Sequence, residues 1–314
     1  MENIQSDQNL SLKDKEIDMR EFFSILNNGK KIIAYSVVII SIATLIYSLS
    51  LPNIFQSSAL LNAYEPDDSA SGYLDDFGAI ASFAGLNLIS NTKNSNSEQA
   101  MEKLVSLSFF EKNILPNIFL PNLMALDSWD FKSNELIYDD DIYDFSNKKW
   151  VRDFTYPNKQ IPSAQESFKV FHEKHLRLSE DNNGFILLSI NHQSPYVAKD
   201  WVELIFKEIN FFYRQKDKAE AEKVISYLNE QLSKTSFSEI KQSLAELLKV
   251  EIQKTALIEA NESYVFEYID SPAIMEQKFE PIRSLIFLIG AIFGALVGIF
   301  IVFIKNYFSN EANS

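Results

Sequence analysis

The chain has no cysteine. That excludes a disulfide framework, a thiolate nucleophile and any cysteine-based zinc centre. It has no G-x-x-x-x-G-K-[ST] loop to cradle a nucleotide phosphate, no G-x-S-x-G elbow and no H-E-x-x-H pair. No nucleophile and base share a local signature, so the expectation is a protein with no catalytic residues, no cofactor and no bound metal. Basic residues are missing from residue 32 to Lys93, where Lys resumes. Proline and glycine are missing from Tyr196 to Ser271. Charge is missing from two stretches near opposite ends, Ile32–Leu51 (twenty residues) and Ser284–Ile304 (twenty-one).

The two uncharged stretches organise everything else. A bilayer core needs about 20 apolar residues at about 1.5 Å each, and backbone amides in hydrocarbon must pair internally, so each stretch predicts a membrane-spanning helix. The expected layout is a segment 1–31, a first span 32–51, an external domain 52–283, a second span 284–304 and a tail 305–314. Lys13, Lys15, Arg20, Lys30 and Lys31 precede the first span, and no basic residue follows it until Lys93. Positive residues stay on the cytoplasmic side, so both termini are expected in the cytoplasm and the main domain in the periplasm. The second span votes weakly the other way, with Lys278 and Arg283 outside and Lys305 inside. A cleaved signal peptide is the rival for the first span. The 31 mixed-charge residues before it and the length of its apolar run speak against cleavage, although Ser48 and Ser50 form a faint small-x-small site.

Of the net charge of −14, −13 falls on residues 52–283. So acidic a surface argues against nucleic acid and anionic headgroups as partners, and is explained by solubility. Within the domain, Ile54–Tyr64 and Phe185–Ile190 read as strands, and Tyr264–Ile269 as a third. An acidic, turn-rich patch spans Glu65–Asp76, and Phe77–Ile89 is small and apolar. A helix is expected from Ser97 to Phe110, and another from Ala164 to Leu178, followed by a turn at Gly184. Residues 113–163 are proline-broken and dense in aromatics, among them Trp129, Tyr138, Phe145, Trp150 and Tyr156, beside Asp139, Asp140, Asp141 and Asp144. Rings beside carboxylates can bind sugars; a satellite core under a long loop is the plainer reading. Asp139-x-Asp141 lacks the glycine and closing Glu of a calcium loop, and His172-x-x-His175 has no evident third ligand.

The breaker-free stretch predicts a projecting helical arm at about 196–260, with apolar positions Trp201, Ile205 and Ile209, then Val224, Leu228 and Leu232, then Ile240, Leu244 and Leu247. These nine are the expected packing or oligomer face. One unbroken helix would reach roughly 100 Å. SKTSFS at 233–238 is weakly helical, and Ser236-x-x-Glu239 reads as a capping box, so a turn there would send the chain out and back. In the second span, Gly290, Gly294 and Gly298 fall on one helix face with Ala291 and Ala295 beside them. Small-xxx-small faces let helices approach closely in lipid, here against the first span or a neighbouring subunit.

These segments carry a resemblance. IDMREFFSILNNGKK before the first span, ILLSINHQSPYVAKDWVELIFKEIN in the middle, ISYLNEQL, and YVFEYIDSPAIMEQKFEPIR running into the glycine-patterned span resemble the Wzz-type polysaccharide co-polymerases, the O-antigen and lipopolysaccharide chain-length determinants. Pro272, Pro281 and Arg283 are kept, with no proline at 273–280. The resemblance implies an α+β fold, an α/β membrane-proximal base with a long coiled-coil-like helical arm, between two transmembrane helices. It implies a ring-like homo-oligomer in the bacterial inner membrane and a non-enzymatic role in setting glycan chain length. Its implied partners are a Wzy-type polymerase and lipid-linked glycan. The alternative is an inner-membrane component of a capsule or polysaccharide export complex. A sensor is disfavoured, because no output module follows the second span.

Overall fold

The computed structural model describes residues 19–64, 92–260 and 263–311. The acidic patch at 65–76 and the apolar run at 77–89 lie outside the described residues, as does the opening of the chain. The described chain divides into two units, one holding the terminal helices and one comprising Asn53–Glu280.

The first unit is a pair of helices, α1 (Met19–Ser50) and a C-terminal helix, Arg283–Glu311. Both are long and apolar enough to cross a bilayer, over Ile25–Ser50 and Arg283–Asn306. Gly29 meets Val302, Gly298 meets Ile33, and Gly290 meets Thr44, so the two run antiparallel.

The second unit is α+β. Its sheet has four strands in the order β6-β7-β1-β8, all neighbours antiparallel: β1 (Phe55–Ala63), β6 (Leu176–Glu180), β7 (Ile186–His192) and β8 (Phe266–Asp270). Opposed pairs share a face, so Ala59↔Leu188 and Leu61↔Ile186 point one way, while Gln56↔Asn191 and Ser58↔Ser189 point the other. The second set hydrogen bonds side chain to side chain, at 3.0 Å for Gln56–Asn191 and 2.9 Å for Ser189–Ser58. The first set packs on a long helix. Two further helices, α2 (Thr92–Leu104) and α3 (Ala164–Val170), flank the core, and Phe109, Phe110, Ile114 and Phe171 fill the space beside them. Two short hairpins, β2–β3 (Leu126–Asp130 and Glu135–Tyr138) and β4–β5 (Tyr143–Asp144 and Lys149–Trp150), occupy the proline-broken segment.

The helix expected through Leu178 is shorter. Ser163 and Glu166 cap α3 reciprocally, but the helix ends at Val170, a π-turn carries Phe171–His175, and the chain then enters β6. Pairing with β7 outweighs local helical preference here, and the π-turn carries Phe171 into the core. Likewise the first external helix stops at Leu104, and a π-turn at Phe110–Ile114 follows.

The breaker-free stretch forms two helices, α4 (Pro195–Lys234) and α5 (Ser238–Ala260). Ser194 caps α4 by accepting from the Val197 N–H, and Pro195 sits where a missing N–H costs nothing. Thr235–Phe237 turn the chain, and α5 begins at Ser238, two residues past the Ser236 of the expected capping box. Lys218 pairs with Glu259, so α5 runs back along α4 as a helical hairpin. The C-terminal membrane-type helix is α6 (Arg283–Glu311).

Candidate functional site

Three features are the candidates: the glycine seam, the hairpin, and the corner of the sheet where histidine meets tryptophan. In the seam, Gly294 lies so near α1 that an added Cβ would sit 2.9 Å from the Val37 Cα and 3.2 Å from the Ser36 carbonyl oxygen. At Gly298 the nearest atom would be the Ile33 Cα at 2.8 Å, and at Gly290 the Thr44 hydroxyl at 2.2 Å. The Ser36 hydroxyl donates to the Gly294 carbonyl at 2.9 Å. Gly294 and Gly298 thus bring backbone against backbone, and Gly290 makes room for the Thr44 side chain, the kind of close approach by which dispersion and interhelical hydrogen bonds hold helices in lipid. Gly29 makes a fourth close approach, against Val302, and lies before the first uncharged stretch.

The structure divides the nine apolar positions of the expected arm face. Trp201, Ile205 and Ile209 are buried in the core of the α+β unit, against Leu188, Ile190 and Phe266. On the hairpin itself, Ala221, Ile225, Leu228 and Leu232 face inward at spacings of four, three and four. Leu244, Leu248, Glu251, Thr255 and Ile258 do the same on α5. Both seams carry the seven-residue repeat of a coiled coil. Leu247 is half-buried, whereas Val224 and Ile240 are exposed, at 43% and 49%. The expected face is therefore core at its root and mixed beyond it.

Asn210 ties the root of the hairpin to the sheet. Its Oδ1 accepts from the backbone N–H groups of Tyr264, Val265 and Phe266 at 3.0, 2.7 and 3.0 Å. Its Nδ2 donates to the Phe206 and Phe266 carbonyls at 3.1 and 3.2 Å. The Tyr264 hydroxyl donates to Asp217 at 2.6 Å, and burial with that carboxylate raises the phenol's pKa. A lone asparagine on a helix gives no sign of this role in sequence; apart from the Phe206 carbonyl one turn back on its own helix, its partners come together only once residues 264–266 are placed.

His175 and His192 lie with ring centroids 5.6 Å apart, and the Trp201 ring stands edge-on to both at 5.5 and 5.1 Å. His192 Nδ1 accepts from the Ser194 N–H at 3.0 Å and Nε2–H donates to the Asn122 carbonyl at 3.1 Å, fixing a neutral ring. His175 Nδ1–H donates to the Asn191 carbonyl at 2.7 Å. Burial pushes His192 down to about 4, and burial together with its neighbour pushes His175 down to about 3. His172 is exposed and leans on Phe168, so the π-turn engages the two histidines of the i, i+3 pair differently. Among the described residues no cluster of three or more His, Asp or Glu is arranged to hold a metal.

The aromatic segment is chiefly a self-packed cluster. Tyr138 stacks on Phe145 at 5.1 Å, Tyr143 meets Trp150 at 5.1 Å, and Trp129 reaches Phe55 at 5.4 Å. Arg152 fastens the loop by pairing with Glu166 at 3.0 Å and capping the Lys159 and Gln160 carbonyls. Asp140, Asp141, Asp144 and Asp153 line a shallow open cleft with Ser146, Asn147 and Val151. Asp144 is held below the usual carboxylate range by the Asn147 amides.

Two apolar helices flanking an α+β unit with a helical arm is the arrangement the resemblance implied, and the structure makes the arm a hairpin. Residues 15–113 match the family Wzz, chain length determinant protein. The Wzz match runs from before α1 through β1 and α2 to the first π-turn, just under a third of the chain. No curated protein matches the chain. Among solved structures, a full-length bacterial polysaccharide co-polymerase is 12% identical with a TM-score of 0.37, covering 92% of this chain and 97% of its own. A fragment of WzzB, a polysaccharide co-polymerase from Salmonella Typhimurium, gives 12% and 0.37 over 73% and 100%. A point mutant of the Shigella flexneri lipopolysaccharide O-antigen chain-length regulator gives 11% and 0.25 over 72% and 99%. The Wzz match and the resemblance read from the residues agree.

Proposed function

We propose that this chain regulates the length of a surface polysaccharide without catalysing its synthesis. It is a two-pass protein of the bacterial inner membrane, with both termini in the cytoplasm and residues 52–283 in the periplasm. Copies assemble into a ring-like homo-oligomer that serves as a scaffold for a Wzy-type polymerase handling lipid-linked glycan. The observation that carries the reading is the chain-length-determinant match at residues 15–113. It is supported by two packed apolar helices closing the described chain at either end, and by the −13 charge that disfavours nucleic acid and anionic lipid as partners of the domain between them.

The test is a glycan ladder from a deletion strain with and without this chain restored. Deletion should flatten the modal length distribution, and restoration should bring the mode back. An unaltered ladder refutes the proposal. Complete loss of surface glycan refutes it too, in favour of an export component.

A further inference from the structure

A short loop after β8 presents apolar side chains to solvent for no internal reason. Ile274 is 43% exposed, Met275 46% and Phe279 47%. Scattered apolar exposure is ordinary, but three such side chains within six residues of a fixed loop form a patch of the kind that meets a partner or a membrane. The loop is held at both ends. The Ser57 hydroxyl donates to the Ala273 carbonyl at 2.8 Å. The Phe279 N–H donates to the Ile54 carbonyl at 2.7 Å, and the Ile54 N–H to the Glu280 carbonyl at 2.9 Å. The patch is thus anchored on Ile54, just before β1, and on Ser57 within it.

Chain connectivity sets where this anchor can be. Phe279 is four residues before Arg283, where α6 starts, and Ile54 is four residues after Ser50, where α1 ends. Four residues span at most about 14 Å. Two independent covalent tethers therefore hold the Ile54–Phe279 bridge within about 14 Å of both helix ends. The headgroup layer on each side of the hydrocarbon is itself roughly 5–8 Å deep, and apolar side chains of interfacial segments reach about 5–10 Å into it.

We infer that Ile274, Met275 and Phe279 form a shallow membrane foot, seated at the headgroup–acyl boundary of the bilayer that the two helices cross. This rests on the reading of α1 and α6 as spans. Glu276 and Glu280 are exposed on the same loop, so the backbone stays at the surface and only the apolar side chains dip in. Glu276 and Glu280 are balanced by Lys278 and Arg283, so the loop carries no net charge and a zwitterionic bilayer suffices. The foot would fix the sheet corner against the membrane, giving the base of the hairpin a third point of support beside the two connections.

The absence of cysteine makes the test direct. The full chain is placed in phosphatidylcholine vesicles with one environment-sensitive fluorophore on Met275→Cys, on Phe237→Cys at the hairpin turn, or on Val38→Cys within α1. The Met275 label should be quenched by lipids brominated near the headgroup and shielded from aqueous iodide. The Phe237 label should show the reverse, and the Val38 label should answer to deep lipid quenchers. Ile274→Ser with Phe279→Ser in the Met275-labelled chain should shift the emission to the red and abolish shallow quenching. A Met275 label as open to iodide as the Phe237 label overturns the inference. So does a label shielded from iodide and from lipid alike, which would place a second copy or another protein on the patch. A Val38 label untouched by any lipid quencher overturns the span reading instead, and is a separate result.

Discussion

Replacing Gly294 with leucine tests the helix seam most directly. A Cβ at this position would lie 2.9 Å from the Val37 Cα, against about 3.5–4.0 Å for an ordinary carbon contact. Even alanine therefore drives the helices apart by roughly 0.6–1.1 Å, and a gap of that size forfeits about a quarter to a half of each dispersion contact along the seam. The Ser36–Gly294 hydrogen bond, at 2.9 Å, would be stretched past its useful range, at a further cost of about 0.6 kcal/mol in a membrane setting. Overpacking itself costs about 1–3 kcal/mol. Together these give about 2–4 kcal/mol, or roughly 30-fold or more in the pairing equilibrium. The assay is disulfide formation between Gly29→Cys and Val302→Cys, where the built Cβ of residue 29 is 3.0 Å from the Val302 Cβ, so a small relaxation brings the pair to the usual disulfide separation of about 3.8 Å. In that background Gly294→Leu should slow intrachain cross-linking sharply by shifting the pairing equilibrium, whereas Gly294→Ala, which opens the seam by only roughly 0.6–1.1 Å, should leave the pair within disulfide reach. Equal cross-linking rates in Gly294→Leu and the parent, at equal membrane levels, would refute the close-approach account.

Other outcomes follow from the external unit. The pKa of His192 is lowered to about 4 in the folded chain, so the unfolded state binds more protons between about pH 4 and 6.5. Stability should therefore fall as pH drops through that window, by roughly 1 kcal/mol per unit, with His175 adding in the same direction. Thermal midpoints measured at pH 6.5 and 4.5 check this, and His192→Asn should flatten the slope. Asn210→Ala removes the acceptor for three backbone N–H groups and should destabilise the unit by about 3 kcal/mol or more, read as a lowered urea midpoint. Leu228→Ala, at an 8% exposed seam position, should cost about 2 kcal/mol. Its effect should appear as faster hydrogen exchange in α5, with β1 and β7 protection unchanged.

The parts legible in sequence were those whose cause is local. Runs without charge marked α1 and α6, and the absence of proline and glycine from Tyr196 onward marked α4 and α5. SKTSFS marked where a reversal could fall, because serine and threonine compete with the backbone for hydrogen bonds, but left one unbroken helix open. β6 was not legible: Leu176 and Leu178 continue a plausible helix, and only pairing with β7 makes them a strand. The His192–Trp201–His175 contact and the Asn210 clasp were invisible for the same reason, since their partners lie up to 56 residues away. The glycine spacing pointed to a close helix approach, but nothing in the sequence chose between α1 and another copy.

The hairpin's seven-residue seam has a further consequence. Both of its feet are rooted in the same unit, one through Asn210 and one through the start of β8, while its tip at Thr235–Phe237 is a simple reversal. Adding one matched heptad to each helix would raise the tip by about 10 Å and disturb nothing below it. Stature is in this sense a detachable variable of the architecture, one that insertion or deletion in pairs of sevens could adjust while the foundations stay as they are.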